Sequence, residues 1–194
     1  MGKWVIPVLV SLWLAGCGEQ AWQTKDISGL MPPLEFTLTD ETGNTVNAES
    51  FRGKPTLLFF GFTHCPDVCP TTLARLGTAI KRLDDDTQED MQVLFVSVDP
   101  GRDDPETLKE YTDAFGPQFV GLTGDKEALD ALTRRYRVTY GYGEKDDNGN
   151  YNVSHSSAVF AFNDQGEARL LIRDSDPMDA VVADLERLSD DTDI

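Results

Sequence analysis

The chain has 194 residues, 40% hydrophobic and 9% aromatic, which is enough for one ordinary globular core and argues against disorder throughout. Acidic residues outnumber basic ones 34 to 17, and the resulting net charge of -17 repels phosphate backbones and anionic headgroups alike. Nucleic acid is thereby excluded as a partner, while a basic protein surface is permitted.

Residues 1–16 read as a signal peptide, with Lys3 as its positive start and Trp4–Leu14 as its apolar core. That core is too short for a membrane span, which needs about 20 apolar residues. Leu14-Ala15-Gly16-Cys17 resembles the lipobox of bacterial lipoproteins, which implies cleavage before Cys17 and lipidation of that cysteine. The expected product is a lipoprotein of the bacterial cell envelope, anchored in a membrane and facing the periplasm. Residues 17–33, rich in turn formers, are expected to be a lipidated N-terminus and tether, and residues 34–194 the folded domain.

Within that domain Leu34–Thr39 alternates apolar and polar residues and leads through a turn to a short strand near Val46, an opening hairpin. Thr56–Phe62 and Val93–Val98 are nearly unbroken apolar runs, as expected of central strands covered on both faces. Between them Leu73, Leu76, Ile80 and Leu83 recur at helical spacing. Pro105–Phe115 is predicted to be a helix capped by Asp104, Phe119–Leu122 a strand and Asp125–Tyr136 a helix. Ala158–Phe162 and Ala168–Ile172 flank a turn, and Met178–Leu188 closes the domain as a helix. This order gives an α/β protein with a mixed central sheet flanked by helices and an added N-terminal hairpin, and it resembles the thioredoxin fold.

The chemistry concentrates in "GFTHCPDVCP", residues 61–70, directly after the first central strand. With Cys17 lipidated, Cys65 and Cys69 are the remaining thiols, and in an oxidising compartment they close to a disulfide unless reduced or occupied. A purely structural disulfide is a weak reading, because closing so small a loop is worth roughly 2 kcal/mol. Pro70 disfavours helical geometry for the residue before it, which puts Cys69 at the helix N-cap with its thiol pKa lowered by the helix dipole. His155 precedes a later strand, in a loop expected to face the cysteines. Two thiolates and one imidazole form a soft three-coordinate set that suits Cu(I), and with a further weak ligand Cu(II). Zinc would want a fourth ligand. His64 is expected to point away and to play a secondary or structural part.

The segments "GFTHCPDVCPTTL", "VSVDPGRDDPETLKEY" and "VSHSSAVFAFNDQG" resemble, in order and spacing, the signature regions of the Sco/SenC family, over about Leu34 to Leu188. The resemblance implies a thioredoxin-like, membrane-tethered copper metallochaperone that binds one copper ion through Cys65, Cys69 and His155. Its implied partner is the apo CuA-bearing subunit of cytochrome c oxidase or another copper acceptor, with a periplasmic copper donor or thiol reductant upstream. Asp99 matches an acidic position associated with the metal site or with partner docking. Its other reading is a strand-end turn residue before Pro100. Thiol-disulfide oxidoreduction by the redox pair Cys65 and Cys69, acting on a copper acceptor's cysteines, stays open beside the chaperone reading. A peroxidase is disfavoured, because neither Phe62 nor Pro66 supplies the threonine that peroxiredoxins place three residues before the reactive cysteine.

Overall fold

The computed structural model describes residues 21–146 and 151–191. The expected signal peptide and Cys17 lie outside the described residues. Among those described, no helix is long and apolar enough to cross a membrane.

The first element is unexpected. Lys25–Asp26 forms a two-residue strand, β1, paired with the last strand of the sheet, and Ile27 is buried behind it. Buried Asp184 accepts hydrogen bonds from the Gln23 and Thr24 amides and from the Thr24 hydroxyl, the last at 2.7 Å. Residues 22–27 are therefore a strap packed on the domain, and the tether expected over residues 17–33 is corrected from Trp22 onward. The opening hairpin is as expected, with β2 (Thr37–Asp40) against β3 (Thr45–Asn47).

The two apolar runs become β4 (Thr56–Gly61), followed by α1 (Val68–Ile80), and β5 (Gln92–Ser97), preceded by a short polar helix α2 (Asp85–Asp90). β4 and β5 run parallel, with Phe59 beside Phe95 and Gly61 beside Ser97. Asp104 caps α3 (Pro105–Asp113) by accepting the Thr107 amide at 2.8 Å, and Asp125 caps α4 (Lys126–Arg135) through the Ala128 amide. Between those helices lies β6 (Phe119–Thr123), parallel to β5.

A ribbon of β7 (Tyr140–Tyr142) and β8 (Val153–His155) stands apart from the main sheet. The expected closing hairpin, β9 (Val159–Phe162) and β10 (Ala168–Ile172), leads into α5 (Met178–Asp190). The main sheet has eight strands in the order β1-β10-β9-β4-β5-β6-β2-β3. Alternation along β4 sends Phe59 toward Phe95, which packs in turn on the α3 residue Tyr111, and Phe60 toward Tyr136 at the end of α4. Helices thus cover both faces, and every residue of β4 is buried. The C-terminal ends of β4 and β5 are where the chain turns out of this core into the cysteine loop and the "VDPGRDDP" loop.

Candidate metal centre

Cys65 follows β4 in a turn whose Cys65 amide donates to the Phe62 carbonyl at 3.2 Å. The helix starts earlier than Pro70. α1 begins at Val68 with Asp67 as its N-cap, so Cys69 is inside the first turn. Pro70 is tolerated there because the amide it lacks would have no intrahelical acceptor. The Cys69 amide, another orphan donor of that turn, points at Cys65 Sγ, 3.3 Å away.

This placement also reverses the expected effect on the Cys69 thiol. Its side chain is fully buried against the sheet, and burial, with the neighbouring Cys65 and Asp103, pushes its pKa up despite the helix N-terminus. Gly61 provides the room, since a Cβ there would sit 2.8 Å from Cys69 Sγ. Cys65 is only partly buried and is the more accessible of the two. Both are free thiols in this structure.

His155 ends β8 rather than lying in a loop, paired with Tyr140 across the ribbon. Its imidazole is packed edge-on to Phe62 and Phe59, with ring centroids 5.8 and 5.9 Å away. Nδ1 lies 3.0 Å from the Ser156 carbonyl oxygen, which can only accept, so the proton sits on Nδ1 and Nε2 carries the lone pair. Burial holds the imidazole pKa below its usual 6.5, which keeps the ring neutral. Nε2 faces Cys69 Sγ at 3.1 Å. Cys65 Sγ, Cys69 Sγ and one His155 nitrogen lie within 4.8 Å of one another, and among the described residues they form the one such group of three able to hold a metal ion.

The loop that carries the cysteines is held from the side by Asp103, a residue the sequence did not single out. Its carboxylate is fully buried and accepts the Thr63 amide at 2.8 Å, the Thr63 hydroxyl at 2.6 Å and the Ser97 hydroxyl at 2.6 Å. A buried acid with three donors fixes where β4 hands over to the loop. His64 stays at the periphery, half exposed, with Nδ1 3.0 Å from the Thr63 hydroxyl. Asp99 is 1% exposed, and its carboxylate is engaged by Arg102 and by the Tyr151 hydroxyl. Burial and these two partners leave the Asp99 carboxylate little surface of its own to offer a docking partner.

Fold and site together define a thioredoxin-like domain with a Cys-Cys-His cluster at the sheet's C-terminal edge. The chain belongs to the SCO1/SenC family, whose pattern it matches over residues 31–190. It is 40% identical over 133 residues to the human mitochondrial SCO1 homolog, covering 68% of this chain and 44% of that protein. The chain thus spans less than half the length of that relative. Among solved structures it resembles apo Sco1 from Thermus thermophilus (TM-score 0.76, 40% identity, 88% of this chain and 98% of that one). It also resembles Bradyrhizobium japonicum ScoI with copper bound (TM-score 0.73, 35% identity, 80% and 98%).

Proposed function

We propose that this domain is a copper metallochaperone in which Cys65, Cys69 and His155 hold one copper ion as cargo. The observation that carries this reading is the convergence of two sulfurs and a lone-pair nitrogen within 4.8 Å. Bonds of about 2.0–2.3 Å, as measured for zinc with these donors, require only small side-chain rotations from that spacing. Soft thiolates with imidazole favour copper, and the resemblance to a copper-bound relative points the same way. Binding displaces the thiol protons, and the neutral imidazole needs to lose none.

The acceptor we infer is the apo CuA-bearing subunit of cytochrome c oxidase or a similar cuprous acceptor, receiving the ion by ligand exchange. The cysteines serve only while reduced, since closing a Cys65–Cys69 disulfide removes two electrons and two protons and with them both thiolate donors. Lipidation at Cys17 would hold the domain at a membrane surface in the envelope, facing the periplasm. Thiol-disulfide exchange with the acceptor is less well supported, because burial disfavours the Cys69 thiolate and leaves Cys65 alone as the accessible nucleophile.

The test is Cu(I) titration of the reduced protein. Uptake of about one equivalent, abolished by Cys65→Ser/Cys69→Ser and weakened by His155→Ala, is expected. Unchanged affinity in His155→Ala, or no uptake at all, would sink the reading.

A further inference from the structure

Resting on that metal-site reading, we propose that Arg102 is a positioning residue: it clamps the β7–β8 ribbon to the end of β5 and so holds His155 at the two sulfurs. The two sides of the cluster are supported differently. Cys65 and Cys69 hang from β4 and α1, which belong to the core, whereas His155 comes from a ribbon with three residues per strand. A two-stranded hairpin of that size is marginal by itself. Something outside it must fix its position.

Arg102 touches both sides. Its Nε pairs with buried Asp99, which directly follows Val98 beyond β5, and its Nη1 donates to the Tyr151 carbonyl at 3.1 Å. The guanidinium also lies 3.8 Å from the Tyr151 ring centroid. Tyr151 closes the loop by donating its hydroxyl to the other Asp99 oxygen at 2.7 Å. Tyr142 on the facing strand donates to the Val98 carbonyl at 2.6 Å. On its far side Arg102 lies 5.6 Å from the Phe62 ring, the ring that stands edge-on to His155. One side chain therefore ties the ribbon, the β5 end and the aromatic wall of the cluster into a single unit. Asp99 belongs to this clamp as its buried anchor.

A clamp that only stabilised the fold would leave no trace in a double-mutant cycle on copper affinity. We would measure Cu(I) affinity by chelator competition on the reduced full chain for Arg102→Gln, alone and in the His155→Ala background. Expected is about a tenfold loss in the first and no further loss in the second, in line with residues that orient metal-binding histidines. Amide exchange of the metal-free protein should speed up at Gly143, just past β7, whose amide donates to the Asn152 carbonyl at 2.8 Å, and stay unchanged in β4. Equal losses in both backgrounds, or none in either, overturn the proposal while leaving the metal site standing. An inert His155→Ala overturns both. Arg102→Lys, which keeps a cation beside Asp99 but loses the planar fork that reaches the Tyr151 carbonyl, carries the same test should Arg102→Gln not fold, and unchanged affinity and exchange there would overturn the clamp.

Discussion

The α-carbon of Gly61 faces the sulfur of Cys69 so closely that a methyl group added there would lie 2.8 Å from Sγ and 2.6 Å from Cε2 of Phe95. Neither neighbour has space to retreat, since both residues are fully buried. Gly61→Ala is expected to cost about 1–3 kcal/mol in chemical denaturation, the range for overpacking a close-packed site. Copper affinity should fall with it, because relief of the clash moves Sγ.

Asp103 joins the cysteine loop to the end of β5 through Thr63 and Ser97. Asp103→Ala would leave buried donors without an acceptor, and stability is expected to drop by about 1–3 kcal/mol, read from urea unfolding. The Thr63 amide should lose most of its exchange protection. Retained protection there would show that the loop holds its shape without the acid.

The two thiols should differ in reactivity. Cys69 is fully buried and its thiol is pushed up by that burial, whereas Cys65 is partly open. Alkylation of the reduced, metal-free protein is expected to modify Cys65 at least about tenfold faster than Cys69, judged by mass mapping. Comparable rates would contradict the buried setting of Cys69.

Acid should loosen the caps of α2 and α3. Hydrogen bonds from Thr87 hold the Asp84 carboxyl below its ordinary 3.8, and those from Thr107 do the same for Asp104. A carboxylate with a depressed folded pKa contributes its stability in full above the unfolded value and loses it as pH falls through the folded one. Stability is therefore expected to decline from about pH 3.8 downward, and Asp84→Asn/Asp104→Asn should flatten that part of the profile.

Much of this architecture is readable in the chain where side chains repeat with a period. The continuous apolar runs of β4 and β5, the stripe Leu73-Leu76-Ile80 and the caps at Asp104 and Asp125 all have local causes. His155 is legible because thiols next to one strand ask for a partner in the facing segment. Elements without a local period are not legible in the sequence. Lys25–Asp26 is exposed and forms a strand only because β10 is there to pair with, and α2 has no buried residue. No element is expected at Tyr140-Gly141-Tyr142, and the ribbon's place depends on Val98 and Asp99 across the fold, which Tyr142 and Tyr151 reach. The Cys69 thiol departs from the sequence expectation for the same reason: the dipole is local and legible, whereas the burial that outweighs it comes from Gly61, Phe95 and other distant residues. Asp103 left no mark except hydroxyl residues, Thr63 and Ser97, at the ends of two adjacent strands.

Asp184→Ala should free the strap. Its carboxylate takes two backbone amides and one hydroxyl from Gln23 and Thr24, so its loss is expected to remove protection at the Ile27 amide, which otherwise donates to the Arg169 carbonyl at 2.9 Å. A protease should then cut within residues 22–27 while the core stays resistant. Unaltered cleavage would mean that pairing with β10 is enough to hold the strap.

The same strap decides what optical spectroscopy sees. The three tryptophans are Trp4, Trp13 and Trp22, and the first two belong to the segment expected to be removed. Trp22 stacks on the Arg187 guanidinium 3.9 Å from its ring, at the outer surface of α5. Intrinsic indole emission from the processed protein is then a reporter of strap release, while the buried phenylalanines and tyrosines around β4 carry the near-ultraviolet signal of the core. Melting curves followed by the two signals can separate, and the gap between them would measure detachment of the N-terminal segment rather than an unfolding intermediate of the metal-binding domain.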